Sequence, residues 1–373
     1  MSKIALFIPN LGGGGAERFM VNFSRGLVEL GYPVDLVLCE PTGQYMPQVP
    51  SQVNIVNLAT GRVLTSARPL AAYLRREQPT ALLATLEHAA LSAIWARMLA
   101  RSHTHLTIRI ATTLSQHIPL SPHWQDKLLP LLVPLFFRRA DAIIANASTA
   151  ADDLAHMARI SRQRVTVIPN PVDAAYIRQQ ASKPAEHSFL SDKIPLILGV
   201  GRLLPSKDFS TLVQAFAQVR ARRPARLIIL GEGSERPHLE ALVESLNIGQ
   251  DVALPGFVEN PYAFMKRSAV FALSSRVEGM PNVLLEAIAC GCPVVATDAP
   301  GGSAMVLDGG RVGPLVPVGD AAALATAIQG LLDKPTPAET LAARAQDFDL
   351  MTISRRYLRT MGIAPGDTPN TGA

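Results

Sequence analysis

Short runs of valine, isoleucine and leucine alternate along this chain with helix-length amphipathic segments, and the alternation occurs twice over. Such runs suit strands buried on both faces of a parallel sheet, and the segments between them suit the crossover helices that cover those faces. Residues 4–8, 34–38, 81–84, 106–110, 142–145 and 165–168 are the strand candidates of the first half. Residues 196–200, 227–230, 252–254, 270–273 and 294–296 are those of the second. At 373 residues the chain exceeds one comfortable core, so the pattern predicts an α/β protein of two Rossmann-like domains. The expected bounds are 1–180 and 190–339, with a polar linker opening at Asn170-Pro171. A C-terminal helix over 340–361, within a segment 340–373, is expected to pack back on the first domain.

Charge and cysteine content narrow the function classes. Cys39, Cys290 and Cys292 are too few and scattered for a disulfide framework, which points to a reducing, cytoplasmic setting. The apolar run at 4–8 is too short for a signal peptide. Residues 128–137, LLPLLVPLFF, hold two prolines and fall short of the roughly 20 residues that span a bilayer. Flanked by Trp124, Arg138 and Arg139, this segment fits either a buried helix or peripheral contact with the inner membrane surface. A net charge of +5 suits an anionic partner, but the cations form no long run, so nucleic acid is not expected.

Three motifs carry chemistry. Gly12-Gly13-Gly14-Gly15 lies between the first strand and a helix marked by Phe19, Met20, Phe23 and Leu27, and a glycine loop there lets backbone N–H groups approach a ligand. Its spacing is not that of a dinucleotide fingerprint. A second motif, Gly199-Val200-Gly201-Arg202 through Lys207-Asp208, follows the first strand of the second half. Arg202 offers a planar fork and Lys207 a point charge, a combination that suits a diphosphate. The third motif is Glu278-Gly279-Met280-Pro281-Asn282-Val283-Leu284-Leu285-Glu286. Pro281 reads as the first residue of a helix that Gly291 stops, so the amides of Met280 to Val283 would point toward a phosphate. Glu286 would lie inside that helix, where the apolar Ala287, Ile288 and Ala289 imply burial and therefore a need for partners.

VGRLLPSKDF, LIILGEGSERPHLEAL, LPGFVENPYAFM and SSRVEGMPNVLLEAIACGCPVVATDAPGG, in that order, resemble the donor half of glycosyltransferase family 4. GGGGAER and VIPNPVD resemble the same family's first half. The resemblance implies the GT-B fold, with two facing Rossmann-like domains and the donor diphosphate in the cleft, and transfer with retention of anomeric configuration. It further implies that Arg202 and Lys207 hold the diphosphate, Glu286 the ribose hydroxyls and Glu278 the transferred sugar. Val258 would lie near the base and Gly14 and Gly15 across the cleft. The family often places a histidine near the reacting sugar, and His88 and His117, each after a strand, are the candidates. Where the family usually has glycine after the lysine, this chain has Asp208, a departure that bears on the turn.

The implied donor is a nucleotide-sugar, with UDP favoured, and the implied acceptor is a glycan or lipid-linked molecule of surface polysaccharide or glycoconjugate synthesis. No cofactor or metal is expected: Cys290-Gly291-Cys292 has no companion ligand pair, and Asp347-Phe348-Asp349 lies beyond the donor motifs. Three other classes remain in view at this stage. A nucleotide-sugar epimerase would share the donor half, a nicotinamide oxidoreductase would need the spaced fingerprint, and an idle binding protein would have lost the cations or glutamates.

Overall fold

The computed structural model describes residues 2–12, 14–115, 118, 127–191 and 193–364. The chain divides into two compact units, one made of Met1–Pro171 with Leu350–Ala373 and the other of Val172–Asp349.

In the first unit seven strands form one parallel sheet: β1 (Ile4–Ile8), β2 (Val34–Leu38), β3 (Asn54–Asn57), β4 (Ala81–Thr85), β5 (His105–Ile110), β6 (Ala142–Ala145) and β7 (Val165–Val167). Their order is β3-β2-β1-β4-β5-β6-β7. Every residue of β1, β2 and β4 is buried, because helices cover both faces, and this is why the sequence is largely apolar there; the charged exception, Asp35 of β2, accepts from Tyr73 Oη at 2.7 Å and Asn54 Nδ2 at 2.9 Å. Strand β3, NIVN, escaped the sequence reading for the converse reason: it is an edge strand with two exposed asparagines.

The helix Gly15–Glu29 buries Phe19, Met20, Phe23 and Leu27. Phe19 and Phe23 pack on Tyr357 of the helix Leu350–Thr360, with ring centroids 5.1 and 5.0 Å apart. Gly26 lets these helices approach, since a Cβ there would lie 2.3 Å from Ser354 Oγ. Beneath them Arg109 is wholly buried, donating to Thr85 Oγ1 at 3.0 Å, Asn170 Oδ1 at 2.5 Å and Tyr357 Oη at 3.1 Å, with its guanidinium 3.8 Å from the Phe19 ring. A buried cation needs such a complete set of acceptors. Asn170, read from the sequence as the opening of a linker, is therefore part of the first unit's interior.

The second unit has a six-stranded parallel sheet of β8 (Leu196–Val200), β9 (Arg226–Leu230), β10 (Val252–Gly256), β11 (Val270–Leu273), β12 (Val294–Thr297) and β13 (Leu315–Val316). The order is β10-β9-β8-β11-β12-β13. One apolar cluster lies on each face, around Leu198, Phe271 and Ile288 on one side and Ile197, Phe216 and Val295 on the other. Strand β13 is two residues long, too brief for a periodic signal.

Two expectations need correction. The stretch after Pro171 is not a free linker: it contains the helix Ala174–Ala181, capped by Asp173, whose carboxylate accepts from the Tyr176 N–H at 2.9 Å. Ile177 and Ala181 of this helix are buried in the second unit's core. The helix expected over 340–361 is two helices, Ala338–Gln346 in the second unit and Leu350–Thr360 in the first. The break comes where Phe348 C=O accepts from the Val172 N–H at 2.8 Å and Asp349 bridges Val172, which holds the chain extended.

Candidate functional site

Each sheet has one point where its strand order reverses direction. In open α/β sheets that reversal leaves a crevice at the carboxyl ends of the two neighbouring strands, and ligands bind there. In the second unit the reversal lies between β8 and β11, and the second and third sequence motifs are the loops that follow these strands.

The two loops are joined by polar contacts. Lys207 Nζ donates to Glu278 Oε1 at 2.5 Å, the Arg276 N–H to Ser206 C=O at 2.8 Å, and Ser274 Oγ to Lys207 C=O at 2.9 Å. Asp208 Oδ2 accepts from Thr211 Oγ1 at 2.9 Å and pairs with Arg276 Nε at 3.0 Å. Asp208 itself has φ +48° and ψ +45°, the left-handed conformation that aspartate tolerates better than most residues. The departure from glycine therefore preserves the turn and adds an ion pair to it.

Glu278 is 8% exposed, and Ser275 Oγ donates to the same Oε1 that Lys207 uses, at 2.6 Å. Oε2 has no partner among the described residues. The Glu278 N–H donates to Pro300 C=O at 3.1 Å, and Gly301, at φ +137°, passes so close that a Cβ would lie 1.9 Å from Glu278 C=O. At the end of β9 Gly231 does the same for the other loop: at φ +139° its Cβ would lie 1.9 Å from Gly201 C=O. These glycines let four strand ends converge on a small volume.

The helix of the third motif runs Asn282–Ala289, with Pro281 as its cap, one residue before the helix rather than its first residue as the sequence reading had it. Pro281 C=O accepts from the Leu284 N–H at 3.1 Å. The amides at the start of such a helix, ahead of Leu284, have no intrahelical acceptors, and the helix dipole adds positive character there. Glu286 is 5% exposed and accepts from Tyr262 Oη at 3.3 Å, so the partner that burial demands comes from another helix. Its charge, after burial, helps push the Cys290 thiol up to about 12.

Gly201 lies against Lys207, and Gly279 and Met280 lie against Gly302. Val283 and Val258 are half-buried on the apolar cluster that includes Ile288. Arg202 is exposed with no ion pair among the described residues, and neither it nor Val258 shares a polar contact with the Lys207–Glu278 group. Sequence reading missed Ser275, Arg276 and Tyr262. Ser275 and Arg276 stand in the segment SSRVEGMPNVLLEA and Tyr262 in LPGFVENPYAFM, but nothing local to Tyr262 points to Glu286, 24 residues away.

In the first unit the reversal lies between β1 and β4. Gly14 caps the helix that Gly15 begins, and the Glu17 carboxylate lies against it: a Cβ on Gly14 would meet Glu17 Oε2 at 2.5 Å. After β4, Leu86 adopts φ +78°, uncommon for leucine, and leads into the helix Glu87–Ala100. His88, in its first turn, is half-buried, and Glu87 accepts from Thr112 Oγ1 at 2.8 Å. His117 and Gly13 lie outside the described residues. Asp347 is engaged by Arg344 at 2.6 Å, and among the described residues no group of three or more His, Cys, Asp or Glu is arranged to hold a metal.

Family models match both halves of the chain: "Glycosyltransferase Family 4" over residues 13–176 and "Glycosyl transferases group 1" over residues 194–334. A Campylobacter jejuni N-acetylgalactosamine-N,N'-diacetylbacillosaminyl-diphospho-undecaprenol 4-alpha-N-acetylgalactosaminyltransferase is 31% identical over 96% of this chain and 99% of its own. The chain belongs to glycosyltransferase family 4. As a member of that family it is a transferase, and these matches lend the epimerase alternative no support. A lipopolysaccharide core biosynthesis glycosyltransferase, LpsE of Rhizobium meliloti, is 28% identical to the transferase over 62% of this chain and 66% of its own. Among solved structures, Anabaena Alr3699/HepE in complex with UDP-glucose superposes with a TM-score of 0.80 at 21% identity, covering 96% of this chain and 99% of that one. The two sheets described above are thus those of the GT-B fold.

Proposed function

We propose that the transferase moves a hexosyl or N-acetylhexosaminyl unit, with retention, from a UDP-sugar to a glycan or lipid-linked acceptor in cell-surface polysaccharide or glycoconjugate synthesis. The reading rests above all on the Lys207–Glu278 pair at the β8/β11 reversal, which brings a cation and a carboxylate to one point at a helix start. The second unit takes the donor. Arg202, Lys207 and the amides of Met280, Asn282 and Val283 face the diphosphate, Glu286 the ribose hydroxyls, Glu278 the sugar and Val258 the base. Gly201 and Gly279 leave room for the backbone to approach, and Pro281 sets the helix start.

The chemistry follows from charge. As the bond from the anomeric carbon to the diphosphate oxygen breaks, negative charge grows on the diphosphate, and the cations and amides stabilise it without reorganising. The acceptor hydroxyl oxygen forms the new bond from the same face and passes its proton to the departing phosphate oxygen. Neither a metal nor a cofactor is needed in this scheme.

The first unit takes the acceptor through Gly14, Gly15 and the histidines His88 and His117. The Glu17 carboxylate against Gly14 favours hydroxyls over phosphate at that helix start. The activity named for the Campylobacter relative, on an undecaprenol-linked substrate, supports a lipid-linked acceptor, a cytoplasmic location and peripheral contact with the inner membrane surface.

A thermal-shift panel of UDP-, GDP- and ADP-sugars tests the reading, because a ligand that binds only the folded state raises its melting temperature. A rise with UDP-sugars alone is expected. Lys207→Ala and Glu286→Ala should each lower donor-dependent transfer by roughly tenfold or more, about 1.4 kcal/mol in transition-state stabilisation. Wild-type rates in both would refute the assignment.

A further inference from the structure

Of the eight large hydrophobic side chains that stand exposed among the described residues, five lie in one region of the first unit: Met98, Leu99, Leu128, Leu131 and Leu135. Leu131 and Leu135 are 67% and 58% exposed and stand four apart on the helix Leu129–Phe136, so they project from one face, while Leu129 and Val133 of the same helix are buried. The sequence reading offered a buried helix or an interfacial one for this segment. The structure shows a helix buried along one side only.

The neighbouring elements extend that face. Trp95, on the helix Glu87–Ala100, meets Phe136 edge-on with centroids 5.6 Å apart. Arg75 of the helix Ala67–Glu77 donates to Leu99 C=O, and Arg97 donates to Arg139 C=O. Between Ala67–Glu77 and Glu87–Ala100 opens a groove of about 690 Å³, lined by Leu64, Ala67, Trp95, Met98 and Leu99 with Arg68 at its rim.

Among the described residues the charge around this apolar face is mainly positive. Residues 58–76, 95–103 and 127–140 contain no aspartate or glutamate, and Arg68, Arg75, Arg101, Lys127, Arg138 and Arg139 are exposed there. The carboxylates that follow, Glu77 and Asp141, are neutralised by Lys3 and Arg97. An apolar strip ringed by cations matches a bilayer rich in anionic lipid: the leucines sit at the level of the acyl chains and the arginines reach the phosphates. No helix among the described residues is long and apolar enough to cross a membrane, so the contact is lateral.

We infer that the face formed by Leu131, Leu135, Met98 and Leu99, with Arg68 and Arg138 at its rim, docks the first unit on an anionic phospholipid surface. This rests on the reading of a membrane-borne acceptor but not on the donor assignment. Flotation of the full chain tests it, with vesicles of phosphatidylcholine alone against vesicles of equal parts phosphatidylcholine and phosphatidylglycerol. Binding to the anionic vesicles only is expected, weakening as salt shortens the screening length from about 10 Å at 0.1 M to about 3 Å at 1 M. Leu131→Ser with Leu135→Ser, and separately Arg68→Glu with Arg138→Glu, should each lower partitioning at least tenfold. In both, the UDP-induced thermal shift and transfer to a detergent-soluble acceptor should stay at wild-type values. Equal binding to neutral vesicles, wild-type partitioning in both variants, or sedimentation showing that the leucines instead bury a second copy of the chain would each overturn the inference. Loss of transfer with docking intact would count against the transferase site alone.

Discussion

Lys207 and Glu278 are bonded at 2.5 Å across the β8/β11 reversal, and Ser275 donates to the same carboxylate oxygen at 2.6 Å. With Oε1 doubly engaged, the Glu278 carboxylate cannot rotate freely, and on the proposed reading Oε2 is the oxygen that meets a sugar hydroxyl. Ser275→Ala should therefore lower kcat/KM for the UDP-sugar by about tenfold, in line with about 1.4 kcal/mol for one hydrogen bond to a charged group. Titration calorimetry should find the affinity for UDP itself changed less than twofold. An equal loss for UDP and UDP-sugar would mean that Ser275 supports the loop rather than the carboxylate.

Glu286 depends on Tyr262 in the same way, but inside the core. Removing the hydroxyl by Tyr262→Phe leaves a buried carboxylate short of a donor, which costs about 1–3 kcal/mol. Urea denaturation should show that loss when no nucleotide is present. An unchanged midpoint would show that the 3.3 Å contact contributes little.

Asp208 combines an uncommon backbone angle with an ion pair, and two substitutions separate these contributions. Asp208→Gly keeps the left-handed conformation and loses only the contacts to Arg276 and Thr211. Asp208→Ala loses both and should be less stable than the glycine variant by about 1 kcal/mol, the cost of placing an alanine in that region. Equal stabilities would remove the conformational argument.

The three cysteines are buried and free, and burial raises the thiols of Cys290, to about 12, and of Cys292. A group whose folded-state value is raised stabilises the fold fully below its ordinary value, near 9, and ceases to do so as pH rises through the folded one. Stability should thus fall between about pH 9 and pH 12, and Cys290→Ala should flatten that fall. At pH 8 the native chain should resist iodoacetamide, as a protonated, enclosed thiol does, and react on unfolding. Rapid native labelling would contradict the burial.

Much of the fold was legible because its strongest signals are local. Strands buried on both faces are mostly apolar, so β1, β2, β4 and β8 announce themselves, whereas the edge strand β3 and the two-residue β13 bury too little to leave a pattern. The helix break at Asp347–Asp349 was invisible for a related reason. Helical spacing continues on both sides of it, and only the backbone contacts to Val172 interrupt it.

The sequence by itself determined the two βα repeats, the loops that carry the polar residues and a helix start next to Pro281, since each depends on neighbours within a few positions. The tertiary structure alone decided that Glu278 would share one oxygen with Lys207, 71 residues away, and that Tyr262 would reach Glu286. It also decided which side of the helix Leu129–Phe136 would stay uncovered. Such pairings depend on sheet order and on the close approach that Gly231 and Gly301 permit, and strand order is a property of the packed core that no local window of residues contains.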